Sequence, residues 1–483
     1  MTYRIFRRIF LELHLWLGIA SGFVLFVVCL SGTILTFDNE IRHFVDPTRY
    51  FVNASEGQTR LSADELIAKV EAELYRRAVR EFSANDMVAT LETRASQNLS
   101  IEEMNAIIEA EAPKRALRII AITIPEQPNR MVTMNLAAVA QISGTGQGAP
   151  GGRMERQGAR GQRPDGERVA PPRADGEASE GGVQPQPRPP MRVRNFIQVD
   201  PYTGDIVGEG SNAADPFLMS MMRLHRFFWL PMDIGRPIVG WATIIFCVLC
   251  LSGLILWLPK TLGSFLRWGS WRVGLRVRFN KGGWALLYDL HNTVGFYLLI
   301  PALILALTGL CWSFAWYRDG VSHLLGDRVF GARMQQPVVI EPVEESAKPL
   351  SVGEMIIRKN ELLPGPGEIS VSIPTNRGTA MVIRKGRTGF FDLNIPDKSQ
   401  WDSFRGTVIP VEFFGQTVEV ERFIDRPLGS KIVVSIRGLH FGDITGMSSK
   451  IFFFFVCLFA TTLPITGTLW WLKKLRTKYK RRR

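Results

Sequence analysis

Histidine is scarce in this chain, and its positions are the first clue to chemistry. The 483 residues include six histidines, and four of these accompany long apolar runs. His14 and His291 each follow a leucine at the start of such a run, whereas His225 and His440 stand shortly before two others, in LHRFFW and LHFGDITG. Neutral imidazole is a common ligand of metal ions, and ionisable residues at a membrane boundary are costly without a partner. These four histidines are therefore the main candidates for a functional site.

The apolar runs are long enough to cross a bilayer, which takes about 20 residues of helix. The first and third contain a small residue followed by glycine, at Ser31-Gly32 and Thr308-Gly309, and the second and fourth end alike, in SGLILWLPK and TGTLWWLKK. The order of histidines and runs thus occurs twice. It predicts a membrane α-helical protein with four transmembrane helices arranged as a two-fold repeat, spanning residues 13–37, 237–258, 284–317 and 450–472.

The basic residues indicate how the helices are oriented. Much of the net charge of +13 comes from three segments that alternating helices place on one side: residues 1–12, 259–283 and 473–483. The positive-inside rule makes this side cytoplasmic. We therefore expect both termini in the cytoplasm, a retained first span, a lipid bilayer as the surroundings, and no nucleic-acid partner. The five cysteines all fall within the spans, where the Cys247–Cys250 pair is expected to act as small apolar residues.

Residues 38–236 and 318–449 are expected on the other side as two α+β modules. Ser62 with Glu65, and Ser351 with Glu354, match the helix-capping box. Branched residues predict strands in RALRIIAITI, RMVTMNLAAV, EISVSIPT, TAMVIRKG and TGFFDLNI, and NFIQVDPYTGDIVGEG predicts a hairpin. The segment 144–190 is rich in Gly, Pro and Arg, and its composition predicts a disordered insert.

Taken together, these motifs resemble the PepSY-associated transmembrane family. The Leu-His pairs, the D-P-x-T-G hairpin and the SGLILWLPK ending carry the resemblance over nearly the whole chain, although the second half offers only FFDLNIPDKSQ in place of the hairpin turn. The resemblance implies two PepSY-like periplasmic modules and a multi-pass location in the bacterial inner membrane. It also implies a link to iron uptake, in which some members are haem-containing siderophore reductases, so a ferric-chelate reductase is the expected enzyme.

The predicted topology sorts the four histidines into two layers. His14 and His291 begin outward-going helices near the cytoplasmic face, and His225 and His440 precede inward-going helices near the periplasmic face. Two imidazoles can hold one haem iron from opposite sides. Because one macrocycle cannot cover a hydrocarbon core of roughly 30 Å, we expect two haem b groups per chain, without the C-x-x-C-H motif of covalent attachment. Haem propionates favour arginine, and the candidates are Arg223, Arg226 and Arg437.

Several alternatives remain open at this point. His43 and His323 each lie six residues after a predicted span and could ligate the outer haem or help to bind a ferric siderophore substrate. Four tryptophans could pack on the macrocycles or form an interfacial belt: Trp16, Trp229, Trp312 and Trp316. No flavin or nicotinamide domain is visible, so the electron donor is unidentified. The rival function is a non-enzymatic, membrane-anchored protein whose PepSY-like modules bind a peptide or a partner.

Overall fold

The computed structural model describes residues 3–53, 57–81, 117–138, 196–259, 261–280, 282–331, 338–374, 377–387 and 389–480. The predicted disordered insert 144–190 lies outside these residues.

Four long helices are apolar enough to cross a membrane. They are α1 (Tyr3–Leu35), α5 (Met232–Trp257), α7 (Gly283–Ser313) and α11 (Gly446–Lys480). α1 and α7 each pack against both α5 and α11, so the four form a bundle in which α1 faces α7 diagonally. The third helix ends earlier than the predicted 317, because Phe314 adopts an extended conformation after Ser313.

Shorter helices connect the bundle to the rest of the chain. α2 (Asp38–Val45) follows α1, and α8 (Ala315–Leu325) follows α7. α4 (Asp215–Phe227) leads into α5, and α10 (Leu428–Phe441) leads into α11. At the opposite end of the bundle, α6 (Trp268–Arg272) lies between α5 and α7. The chain thus returns to the bundle through a short helix in both halves, and each of those helices carries a candidate histidine.

The remaining elements form a sheet domain at one end of the bundle. Its helices are α3 (Ala63–Glu81) and α9 (Val352–Leu362). The first half contributes β1 (Leu117–Ile124), β2 (Val132–Ala138), β3 (Phe196–Val199) and β4 (Ile206–Glu209). The second half contributes β5 (Glu368–Ser372), β6 (Met381–Gly386), β7 (Asp397–Asp402), β8 (Thr407–Val408), β9 (Val411–Phe413), β10 (Gln416–Val418) and β11 (Val420–Glu421).

The sequence suggested two separate α+β modules, but in the structure these two parts of the chain share one sheet. Its strands run in the order β4-β3-β2-β1-β5-β6-β7, with β8 and β11 both paired to β7. The two halves meet where β1 pairs antiparallel with β5, at Ile122 and Val371. Both of these side chains are fully buried in a single core that also includes Val70 of α3 and Met355 of α9. Joining the halves gives each half a neighbour for its otherwise unpaired edge strand and removes apolar surface from water.

Both predicted helix starts are confirmed. Ser62 accepts a hydrogen bond from the Glu65 backbone N–H at 3.2 Å, while the Ser62 N–H donates to the Glu65 carboxylate at 2.8 Å. The Ser351 and Glu354 pair makes the same reciprocal bonds. Each pair satisfies N–H groups that the first turn of a helix leaves without partners.

The predicted hairpin turn is confirmed, and the structure shows its counterpart in the second half. Asp200 accepts from the N–H groups of the turn, and Gly204, at φ 79°, closes it. Asp402 and Gly406, at φ 68°, do the same between β7 and β8, in Asp-Ser-Phe-Arg-Gly. The counterpart is therefore residues 402–406, and the expectation of FFDLNIPDKSQ was wrong.

The strand predicted in TGFFDLNI was also wrong. Asp392 accepts from the Gly389 N–H at 2.9 Å and folds this segment into a turn. The segment then bonds to the start of α11, with Asn394 N–H donating to Ile444 and Ser448 N–H donating to Phe390. Its apolar residues do not join the sheet, and Phe391 remains 78% exposed.

Candidate functional site: two histidine pairs in the helix bundle

The structure brings the four candidate histidines together as two pairs across the bundle. His14 of α1 lies opposite His291 of α7, with ring centres 6.3 Å apart and ring planes at 89°. His225 of α4 lies opposite His440 of α10, with ring centres 6.2 Å apart and planes at 51°. We call His14 and His291 the inner pair, and His225 and His440 the outer pair. Each pair joins one histidine from the first half of the chain with one from the second.

Each imidazole is held by a hydroxyl residue on a neighbouring long helix. In the inner pair, His14 Nδ1 lies 2.9 Å from Ser252 Oγ, and His291 Nδ1 lies 2.8 Å from Thr466 Oγ1. In the outer pair, His225 Nδ1 lies 3.4 Å from Ser31 Oγ, and His440 Nδ1 lies 3.2 Å from Thr308 Oγ1. The four hydroxyl residues are buried.

These contacts favour a proton on Nδ1 of each ring. Ser252 and Thr466 donate their hydroxyl hydrogens to carbonyls of their own helices, at Leu249 and Thr462. A hydroxyl used in this way accepts from the imidazole, and the Nδ1–H groups of the inner pair then donate. The tautomer that results leaves a lone pair on Nε2, which is the form that binds a metal.

The outer pair reaches the same tautomer through backbone carbonyls. His225 Nδ1 lies 2.9 Å from the Val28 carbonyl oxygen, and His440 Nδ1 lies 3.1 Å from that of Leu305. A carbonyl oxygen only accepts, so Nδ1–H again donates. Among the described residues, the hydrogen bonds of all four rings involve Nδ1, which leaves Nε2 for another partner.

A glycine next to each hydroxyl residue makes room for the ring. In the inner pair, a Cβ atom on Gly253 would lie 3.3 Å from Cε1 of His14, and one on Gly467 would lie 3.3 Å from Cε1 of His291. In the outer pair, a Cβ atom on Gly32 would lie 3.1 Å from Cε1 of His225, and one on Gly309 would lie 2.8 Å from Cε1 of His440. The Ser-Gly and Thr-Gly dipeptides are thus four matching seats for the histidines. They were visible in the sequence as repeated endings, but their role depends on which helices are neighbours.

The separation within each pair fits one metal between two imidazoles. A metal–imidazole bond is about 2 Å long and the nitrogen lies about 1 Å from the ring centre, so two rings on opposite sides of a metal have centres about 6 Å apart. Both pairs have this separation. Among the described residues no group of three or more His, Cys, Asp or Glu side chains could hold a metal, and each pair offers two imidazoles.

The two pairs lie at different depths of the bundle. On α1, His14 and the outer-pair seat Ser31 are 17 residues apart, as are His291 and Thr308 on α7, which is about 25 Å along a helix axis. Apolar side chains fill the bundle between them, including Leu298, Phe453 and Val456. The predicted division into two layers therefore holds in the structure.

The outer pair is bordered by strained backbone and aromatic rings. α4 ends two residues after His225, where Phe228 and Trp229 both adopt left-handed conformations at φ 54° and 58°. Such conformations cost free energy in bulky residues and concentrate at functional sites. Trp312 packs against His440 with ring centres 5.0 Å apart, whereas Trp16, Trp229 and Trp316 are each about 60% exposed.

The three candidate arginines are exposed around this pair. Arg226 lies over the ring of Phe227, and Arg437 lies over that of Phe441. Arg223 is on the same short helix as His225. Their exposure leaves them able to reach an anionic group at this end of the bundle.

His43 and His323 are not part of either pair. His43 lies beside Tyr50 and Phe51 and within 3.3 Å of Arg130. Burial, together with the positive charge of Arg130, lowers the pKa of His43 to about 4, so this imidazole is neutral at physiological pH. His323 is exposed on α8. The structure places neither opposite another histidine.

The comparisons with known proteins agree with the architecture. No curated protein matches the chain. The model of one family, described as the PepSY-associated TM region, matches residues 11–474. This match covers most of the four long helices, both histidine pairs and the sheet domain, and the protein is therefore a member of the PepSY-associated TM region family.

Proposed function

We propose that this protein is a di-haem electron-transfer protein that reduces a ferric siderophore, with the histidine pairs as axial ligands of two haem b groups. The observation that supports this most directly is the pairing of the four imidazoles, whose ring centres lie 6.3 and 6.2 Å apart, while the hydrogen bonds to neighbouring helices use Nδ1. The family match supports the architecture of the protein, whereas the iron chemistry is our own inference.

Bound haem would supply a carrier of single electrons at each layer. The protein residues hold the imidazoles, exclude water from the bundle and keep each ring in one orientation through its Nδ1–H bond. A hydrogen bond from Nδ1–H also makes the imidazole a more basic ligand. Because the layers lie about 25 Å apart along the helices, two carriers divide the crossing into shorter transfers.

In this proposal the sheet domain is periplasmic and receives the substrate. A groove of about 670 Å³ opens between the two halves of the chain, with Glu126 and Gln127 on one side and Arg387 and Asp392 on the other. The turn that contains Asp392 is bonded to residues 444–448, which follow His440 closely. A hydrophilic chelate in this groove would lie near the outer pair without entering lipid.

The proposed reaction transfers one electron to each Fe(III) and forms Fe(II), which hard oxygen ligands hold less tightly. The electron comes from a separate donor on the basic side of the bundle, either a soluble reductant or a membrane quinol. In this orientation both termini lie in the cytoplasm, and the protein resides in a bacterial inner membrane.

The test is the spectrum of the purified full-length protein. Pyridine-haemochrome analysis of protein produced with ample haem should give about two b-type haems per chain, as two bis-histidine sites require. The reduced protein should then be re-oxidised by an added ferric siderophore, with Fe(II) trapped by ferrozine. A colourless protein with intact secondary structure would contradict the proposal and favour the rival function, a membrane-anchored module that binds a peptide or partner. A two-haem protein that ferric chelates do not re-oxidise would retain the electron-transfer role but exclude this substrate.

A further inference from the structure

The loop between α5 and α7 does not project away from the bundle. The Trp257 indole N–H donates to the Gly274 carbonyl at 3.0 Å, and the Tyr297 hydroxyl donates to that of Leu275 at 3.3 Å. Tyr297 lies 14 residues into α7, so the loop folds back along the side of this helix. The loop is anchored by Arg278, whose guanidinium bonds to the buried carboxylate of Asp289 at 2.6 and 2.7 Å.

This folded-back loop exposes large apolar side chains. Leu266 is 94% exposed, Phe279 74%, Trp268 71% and Val273 56%. In water such a cluster is unfavourable. Because Trp257 is the last residue of α5, which is long enough to cross a membrane, the loop residues beside it lie at the depth of the lipid headgroups. Tryptophan is enriched there, with its ring in the acyl boundary and its N–H near water.

Exposed arginines alternate with these apolar residues. Arg267, Arg272 and Arg276 are all exposed, and a guanidinium binds phosphate through paired hydrogen bonds. Exposed apolar groups interleaved with cations are typical of segments that lie in the interface of an anionic membrane.

We propose that the interfacial loop, residues 263–279, binds anionic phospholipid on the basic side of the bundle, with Arg267, Arg272 and Arg276 on the lipid phosphates and Leu266, Trp268 and Phe279 among the upper acyl chains. The inference does not depend on haem or on the reductase. The charge of the loop by itself indicates only on which side of the membrane the loop lies. Lipid binding is a further property, because it requires the apolar residues as well as the arginines.

The experiment uses the full-length protein in dodecyl maltoside, titrated with phosphatidylglycerol or phosphatidylcholine, with bound lipid counted by native mass spectrometry. The wild type should prefer phosphatidylglycerol. Arg267→Gln/Arg272→Gln/Arg276→Gln should weaken phosphatidylglycerol binding by at least about tenfold, since each cation near an anionic surface contributes substantially. Leu266→Ser/Trp268→Ser/Phe279→Ser should weaken it without any change of charge.

The matched control removes three exposed arginines from the sheet domain, as Arg76→Gln/Arg80→Gln/Arg422→Gln. It changes the net charge equally and should leave lipid binding as in the wild type. Circular dichroism of each variant identifies any that fail to fold, and in that case single substitutions replace the triple. Equal binding of the two lipids by the wild type, or equal losses in the loop and control variants, would overturn the proposal. Loss of phosphatidylglycerol binding in the arginine variant alone would also overturn it, because the apolar residues would then face something other than lipid.

Discussion

At the scale of single residues, the site consists of an imidazole, a hydroxyl group and a glycine, present four times. The hydroxyl groups of Ser252 and Thr466, and the carbonyls of Val28 and Leu305, favour a proton on Nδ1. The glycines let the rings approach neighbouring helices closely. The chemistry of each histidine is therefore decided by residues on another helix.

The pairing of histidines can be tested by removing them singly. His14→Ala and His291→Ala should each give the same loss, leaving about one haem per chain instead of about two, because one axial ligand does not hold a bis-histidine site. His225→Ala and His440→Ala should remove the other haem. His43→Ala and His323→Ala serve as controls and should retain both. Different residual spectra for His14→Ala and His291→Ala would show that the inner pair is wrongly assigned.

The glycine seats can be tested without touching a ligand. In Gly309→Ala the new Cβ would lie 2.8 Å from Cε1 of His440, closer than carbon atoms can pack. We expect the ring to shift and haem affinity at the outer site to fall on the order of tenfold, as for other changes behind a metal ligand. Gly295→Ala, on the same helix, is the control because its Cβ would meet only Leu463 at 3.9 Å. Equal haem retention in both variants would mean that the seat does not position His440.

At the scale of elements, α9 carries an unusual buried lysine. Lys359 is fully buried, and its Nζ has no hydrogen-bond partner among the residues that the structure describes. Burial, with Lys385 nearby, lowers the pKa of Lys359 to about 8 from 10.5. The lowered pKa means that the charged form is unfavourable in the folded chain.

This lysine predicts a pH dependence of stability. Below pH 8 both states carry the charge, so the folded chain bears the full penalty. As the pH rises from about 8 to 10.5 the folded state alone loses its proton, and stability increases. Lys359→Met should therefore raise the free energy of unfolding at pH 7 by about 3 kcal/mol, with the difference from wild type vanishing near pH 10.5. Thermal unfolding of the full-length protein at several pH values measures this. A difference that stays constant with pH would show that the lysine is not buried as a charge.

The connection between β2 and β3 gives a second prediction at this scale. Asn135 pairs with Phe196 across the two strands, so the ends of the connecting segment are close together. Deletion of residues 144–190 leaves ten residues to join Ala138 to Phe196, enough for a loop between adjacent strands, and a shorter loop costs little entropy. Haem content and ferric reduction should be unchanged in the deletion variant. Loss of haem from a stably expressed variant would give the segment a role in the structure.

At the scale of the whole molecule, the two halves of the chain depend on each other twice. In the bundle each histidine pair takes one residue from each half, and in the sheet domain β1 and β5 form a single core. Neither half contains a complete pair. The two halves of the chain are therefore joined both in the bundle and in the sheet domain.

Disruption of the β1–β5 junction should therefore affect both halves together. Val371→Asp introduces a charge at a fully buried position, where an unpaired carboxylate costs several kcal/mol. Limited proteolysis should then cleave both α3 and α9 regions at matching rates, while the bundle stays protected. Ile357→Asp is the control, because Ile357 is 70% exposed on α9. Cleavage confined to the second half would mean that the first half folds without its partner.

The sequence alone was sufficient for the features that depend on local patterns. Apolar runs longer than a bilayer specify membrane helices because backbone groups in lipid must bond within the helix. The capping boxes at Ser62 and Ser351 and the turn at Asp200 involve residues close in the chain, so they could be located without the fold. The two layers of histidines followed from the alternation of the helices.

Only the tertiary structure decided the features that join distant residues. The pairing of β1 with β5 crosses almost 250 residues and leaves no local signal in either strand, so the modules looked separate. FFDLNI has the composition of a strand, but Asp392 and the start of α11 hold it as a turn. The hydroxyl and glycine seats were visible as repeated dipeptides, yet their meaning requires knowing that α1 lies beside α5 and α7 beside α11, because the partner of each imidazole is on a different helix from its own.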